Sequence, residues 1–192
     1  MVLNYSTPQR ESVRRALGSF AAGVTIISTR DEAGSPVGMT ATAFTSVSFD
    51  PASVLICLSR SARTQTLIRA DARYGVNLLS ADAQGLSDYC AVRGQDKALP
   101  TTWLDDDPRW QTPCLNSALA FFDCTVTEVV ETGSHVIVVG QVQAVGLSPL
   151  RDSATPLLHY RGAYRQLAPT LPGITPDPLP IVFEDSLILE AY

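Results

Sequence analysis

Apolar positions in this 192-residue chain fall mainly in short β-branched runs bounded by turn residues, and only rarely at helical spacing. Val13, Leu17 and Phe20 keep a helical period within Glu11 to Phe20, with Ser12 or Thr7 as caps and Gly23 as the stop. Val24 to Thr29 reads as a strand, Asp31 to Pro36 as a turn, and Gly38 to Ser48 as the second arm of that hairpin. Asp50-Pro51 breaks the arm, and Val54 to Leu58 is a fully apolar strand. Arg60 to Arg63 is a basic loop opening a short helix, Thr64 to Ala70. Tyr74 to Leu79 is a further strand, followed by a helix over about Ala81 to Val92.

Gly94 to Pro113 is polar, with Asp105 to Asp107 and both tryptophans, and reads as a long surface excursion. Leu119 to Val130 and His135 to Leu147 form the clearest hairpin, turning at Gly133 and Ser134, and Leu157 to Leu167 reads as a closing strand. Six or seven strands joined mostly by hairpins, with two or three short helices, predict a mainly β fold: an antiparallel barrel.

The pattern changes at Pro169. Five of the twelve residues from Pro169 to Pro180 are proline, so this segment cannot join a sheet interior and reads as an extended arm. Ile181, Val182, Phe183, Leu187, Ile188 and Leu189 then restore apolar character, and the tail is expected to dock on its own barrel or on a partner subunit. The chain thus divides into a barrel domain, 1–168, and a Pro-rich arm, 169–192.

Composition narrows the function classes. Hydrophobic residues make up 45% and charged residues 17%, fewer charges than a typical domain carries, which points to surface buried in a homo-oligomer. The net charge of −5 argues against nucleic acid or an anionic membrane as partner. No secretory signal is visible and no apolar run approaches the ~20 residues of a membrane span. The four cysteines (Cys57, Cys90, Cys114, Cys124) show no metal-ligand spacing and read as reduced thiols in a cytoplasmic protein. A metal site built from Cys90, Cys114, Cys124 and His135 is the disfavoured alternative.

Two stretches carry candidate chemistry. Gly38 to Ser48 reads GMTATAFTSVS, with small residues and hydroxyls where a core strand would carry Val, Ile or Leu. Such a strand lets a flat ligand approach the main chain, although an exposed edge strand has the same composition. Ser59 to Thr64 puts two arginines and several hydroxyls at the start of a helix, which suits a phosphate or, equally, a solvated loop capped by Ser61 or Thr64. There is no nucleophile elbow, no G-x-G-x-x-G after a strand and no Walker sequence. A dinucleotide would have to be held without a Rossmann unit.

Six motifs in order, RRALGSFAAGVTIIST, GMTATAFTSVSFDP, LICLSRSARTQTLI, YGVNLLS, GSHVIVVGQV and PLLHYRGAYRQL, resemble the flavin reductase-like family from about Arg14 to Leu167. The resemblance implies an FMN-binding split β-barrel, homodimeric. It also implies hydride transfer from NADH or NADPH to FMN or FAD, supplying reduced flavin to a partner monooxygenase. By that similarity Met39, Thr40, Ala41, Thr42 and Ala43 would lie along the ring and ribityl chain, with Ser46 at the same wall and Cys57 and Leu58 beneath. Ser59, Arg60, Ser61 and Thr64 would take the phosphate, and Asn77 and Leu78 would lie close to the ligand. His135 would sit in the nicotinamide pocket, and Tyr160, Arg161 and Tyr164 where the family closes the site. Two departures stand out: Ser134 replaces the family's acidic neighbour of the histidine, and Ala43 replaces a hydroxyl or amide. They keep two other readings open: an oxidoreductase that retains its flavin and acts on a pathway intermediate, and a flavin-binding module without catalysis.

Overall fold

The computed structural model describes residues 7–92, 97–149 and 153–168. The strands are β1 (Ala22–Gly23), β2 (Thr25–Arg30), β3 (Pro36–Ala41), β4 (Phe44–Phe49), β5 (Ala52–Ser59), β6 (Arg73–Leu79), β7 (Ala118–Thr132), β8 (His135–Leu147), β9 (Leu158–Tyr160) and β10 (Ala163–Arg165). The helices are α1 (Arg10–Leu17), α2 (Arg63–Leu67) and α3 (Gln84–Ala91). Seven strands form an antiparallel sheet in the order β3-β2-β6-β7-β8-β5-β4.

The two edge strands of that sheet, β3 and β4, are joined by Thr42 and Ala43 alone. Three peptide links span about 11 Å at most, so the edges must meet and the sheet closes on itself as a barrel. Gly38 to Ser48 is therefore not one hairpin arm, as its composition suggests, but a corner between two strands. Ala41 pairs with Thr25 on one side, Phe44 pairs with Ile56 on the other, and the Ala43 carbonyl accepts the Cys57 amide at 3.1 Å.

Alternation along β5 sends Val54, Ile56 and Leu58 inward, where they meet Ile27, Met39, Tyr74, Val76, Val136 and Val138 in the barrel core. At Gly140 the β8 backbone leaves room for the Tyr74 ring; a Cβ there would lie 2.7 Å from two ring carbons. A second core lies outside β2, where Val24, Ile26 and Leu79 pack with Cys90 of α3, Leu99, Leu115 and Leu157. β2 is thus covered on both faces, which is why Thr25 to Thr29 are buried without a break.

Several expected elements change. The described part of the Gly94 to Pro113 excursion is not merely surface: Leu99 and Thr112 are buried, and Trp110 packs edge-on against Phe121 at 5.2 Å. The expected closing strand is a tight hairpin, β9–β10, which pairs with β1 in a separate three-stranded sheet. Neither expected cap holds for α1. Its N-cap is Gln9, and Ser12 donates back to the Thr7 and Gln9 carbonyls. Gly18, not Gly23, ends it, and Gly23 lies in β1. α2 begins after Ala62 with neither Ser61 nor Thr64 as cap, and α3 follows a 3-10 turn, Ala81–Ala83. No helix among the described residues is long and apolar enough to cross a membrane. The docking expected of the Pro-rich arm falls outside the described residues.

Candidate functional site

With Val54, Ile56 and Leu58 turned inward, the alternate residues of β5 face out, and antiparallel register carries them onto the outer face of β8. Ser59 stands opposite His135, and Cys57 opposite Ile137. The turn after β5 is tied to the β7–β8 hairpin: the Arg60 amide donates to the Ser134 carbonyl at 3.0 Å, and its guanidinium donates to the Gly133 carbonyl at 3.3 Å. The same guanidinium forms an ion pair with Glu131. Ser59 and Ser61 share a hydroxyl–hydroxyl bond of 2.9 Å. Ser134 Oγ lies 2.8 Å from His135 Nδ1.

These contacts bring Ala43, Cys57, Ser59, Arg60, Ser61 and His135 onto one continuous outer surface, which begins at the exposed Thr42–Ala43 corner. Its donors are two hydroxyls, a guanidinium with N–H groups to spare and an imidazole. The Arg60–Glu131 pair is exposed on both sides and so is worth little on its own, leaving the arginine free to exchange partners. At the other end of the surface the corner offers main chain with only small side chains. That donor set fits a phosphorylated, planar ligand. α2 has five residues and so adds only a weak dipole at its start.

A second group lies around β3 and α3. Thr40 donates to the Ser87 carbonyl at 2.6 Å, and the Ser87 hydroxyl lies 2.9 Å from that of Tyr164. Burial, with the Asp88 carboxylate nearby, pushes the Tyr164 phenol up from its ordinary range, opposed by the bond to Ser87. Arg161 stacks on the Tyr160 ring at 5.1 Å, and its amide donates to the Gly18 carbonyl at the end of α1.

The remaining expected residues sit elsewhere. Met39 and Leu58 belong to the barrel core, and Thr64 is buried. Asn77 ties β2 to the segment before β7. It is fully buried; its amide donates to the Ile26 carbonyl and Ser28 Oγ, and its oxygen accepts the Leu115 amide at 2.8 Å. Ser46 and Leu78 line the mouth of the barrel with Phe44, Val54, Phe122 and Val142, a cavity of about 390 Å³. Ser46 pairs with Val54, five residues along β5 from Ser59, a separation of roughly 17 Å at strand rise. Ala41 lies on β3 beside the corner, packed against the core.

Glu131 and Ser87 were not singled out in the sequence. The only signal for Glu131 is an acid two residues before the Gly133 turn; Ser87 carries none, because its role depends on α3 crossing β3.

A family profile described as "Flavin reductase like domain" matches residues 17–168. The chain is 36% identical over 163 residues to a "Probable flavin reductase" of Rhizobium meliloti, covering 84% of this chain and half the length of that protein. It is 36% identical over 158 residues to an "NADH-dependent flavin reductase" of a Rhodococcus species, covering 81% of this chain and 85% of the relative. Among solved structures, the NADH:FAD oxidoreductase SgcE6 of Streptomyces globisporus, in complex with NAD and FAD fragments, superposes with a TM-score of 0.75 at 29% identity. That match covers 88% of this chain and 99% of the other.

Proposed function

The chain belongs to the flavin reductase-like family, and we propose that it uses NADH or NADPH to reduce FMN or FAD for a partner monooxygenase. One observation carries the reading: Ser59 and His135 face each other on the outer surface, with Arg60 bound to the same turn. An anion-holding turn and an imidazole beside it are what a phosphorylated ligand and a nicotinamide need at one site.

In this reading Ser59, Arg60 and Ser61 hold the flavin phosphate, by hydroxyl bonds and a charge-assisted bond. Thr42, Ala43 and Cys57 leave close approach to a planar ring beside the corner. His135, set by Ser134, orients the nicotinamide portion of the donor. Bound flavin supplies the hydride-accepting centre, so no side chain has to act as acid or base in the transfer. The residues contribute position, which is worth several kcal/mol when reacting groups are held in contact.

We also propose a homodimer. Phe49 and Val145 are exposed at the barrel mouth, and Val47 and Leu147 are exposed on the same two strands, an apolar surface that favours burial against a second copy. A cytoplasmic setting is supported by the free cysteines, three of which are buried. A second reading, flavin kept bound without turnover, is favoured by Ser134 standing where the family's acidic neighbour of the histidine would be.

The test is an absorption spectrum of the purified protein with FMN or FAD, followed by anaerobic NADH or NADPH. Retention of flavin and bleaching on addition of reduced nicotinamide are expected. Binding without bleaching would favour the second reading, and neither binding nor bleaching would overturn both.

A further inference from the structure

We propose that the segment Ile181 to Tyr192 docks on the outward face of α1 of its own chain. α1 buries none of its residues, yet Val13, Leu17 and Phe20 form a stripe at helical spacing that is 41%, 70% and 78% exposed. A helix of eight residues is too short to hold itself in water, and its stability must come from packing an apolar face. Among the described residues none covers this face enough to bury Val13, Leu17 or Phe20.

The stripe is flanked by positive charge. Arg10 and Arg14 precede Val13 and Leu17 by three positions, so each lies beside its apolar neighbour on the helix surface. Arg14 also borders a groove on the other side of the helix, lined by Glu11, Ser12, Arg15, Ser19 and Arg161. No carboxylate among the described residues forms an ion pair with Arg10, Arg14 or Arg15. An occupant should therefore be apolar and acidic.

The segment beyond residue 168 has that composition. It holds Asp177, Glu184, Asp185 and Glu190 and no lysine or arginine, a charge of −4, which leaves −1 for the remainder of the −5 total. Glu184 and Asp185 lie between two apolar triplets, Ile181–Val182–Phe183 and Leu187–Ile188–Leu189. The point of departure is also right: β10 ends at Arg165, and the Arg161 amide bonds to Gly18 at the end of α1. Twelve Pro-rich residues at about 3.1 Å each reach well past a helix of about 12 Å. Tethering also gives the segment a local concentration on the order of millimolar. A second copy packing α1 on α1 about a two-fold axis would instead set arginines against arginines.

Hydrogen exchange read by mass spectrometry on the full chain tests this. Amides of Ile181 to Leu189 should exchange at least tenfold more slowly than in an unstructured chain, independently of protein concentration. Leu17→Glu, at an exposed position, and Arg14→Glu should each abolish that protection while leaving the barrel amides unchanged. Adding Glu184→Arg and Asp185→Arg to Arg14→Glu should restore it. Free-chain rates in the unsubstituted protein, or protection that survives both α1 substitutions, would overturn the proposal. So would protection that fades on dilution, which would assign α1 to another copy's segment.

Discussion

Ser59 and His135 are direct cross-strand neighbours on the outer face of β5 and β8, and Arg60, the next residue, is bonded to the turn that precedes His135. Side chains from two regions 76 positions apart in sequence thus share one small surface. If that surface holds a flavin phosphate, substitutions on its two sides should separate flavin binding from nicotinamide use.

Arg60→Ala should weaken FMN binding about ten- to a hundredfold, the worth of a charged hydrogen bond at ~1.5–3 kcal/mol. Riboflavin, which lacks the phosphate, should lose less than about twofold by the same reasoning. Glu131→Gln should act the other way and tighten FMN a few-fold, because it releases the guanidinium and removes a negative charge from beside the phosphate. Fluorescence titration with both flavins reads all three. Equal losses for FMN and riboflavin in Arg60→Ala would move the phosphate elsewhere.

His135→Ala should raise KM for the nicotinamide donor while leaving flavin affinity nearly unchanged. Ser134→Asp tests how the imidazole is held, since the hydroxyl now sits 2.8 Å from Nδ1. A carboxylate there would hold the ring by a stronger, charge-assisted bond and fix its orientation, so KM for the donor should fall a few-fold with flavin affinity unchanged. An unchanged KM with an active enzyme would mean that His135 does not touch the donor.

What the sequence made legible followed local periodicity. The β7–β8 hairpin and the β2, β5 and β6 strands lie within two or three residues of where alternation puts them, because each buries at least one face. The corner at Thr42–Ala43 was not legible: nothing local shows that the strand before it pairs with Thr25 and the strand after it with Ile56. The same limit applied to the site. Composition made Ser59 to Thr64 a candidate surface, but Asn77 looks equally polar in sequence, and only tertiary packing directs it inward to Ser28 and Leu115.

Gly140→Ala should destabilise the barrel without touching the site. The added methyl would meet the Tyr74 hydroxyl and lie 2.7 Å from Cε1 and Cζ, and overpacking of this kind costs about 1–3 kcal/mol. Tyr74→Phe should be close to neutral alone, because among the described residues the buried hydroxyl meets no partner beyond a weak approach to the Cys124 thiol. It should also recover part of the loss in the double variant, which denaturant titration of the four proteins measures. Additive effects would show that the ring edge, not the hydroxyl, is the obstacle.

Stability should fall at alkaline pH. Burial pushes the thiols of Cys90 up to about 11, and of Cys114 and Cys124 up to about 12. Unfolded thiols ionise near 8.5 and release protons that the native state retains, so this contribution is intact below about pH 8.5 and is lost as pH rises toward 11 to 12. Urea midpoints at rising pH should show the decline. A thiol reagent at neutral pH should modify the half-exposed Cys57 first and the other three only on unfolding.

Asn77→Ala distinguishes a structural crosslink from a ligand contact. The amide bonds Ile26 and Ser28 on β2, and its oxygen takes the amide of Leu115, so its loss strands a buried N–H as well as removing three bonds. A buried group left unsatisfied costs about 1–3 kcal/mol beyond the bonds themselves, and a total of about 3–4 kcal/mol is expected. Such a loss is a large share of the roughly 5–15 kcal/mol that holds a typical domain folded, yet the folded protein should bind flavin within about twofold of the unsubstituted protein, as a site separated from the change would. Asn77→Asp should be no milder: its second oxygen would face the Ile26 carbonyl where an N–H now donates. A normal denaturant midpoint with a large loss of flavin affinity would return Asn77 to the binding surface.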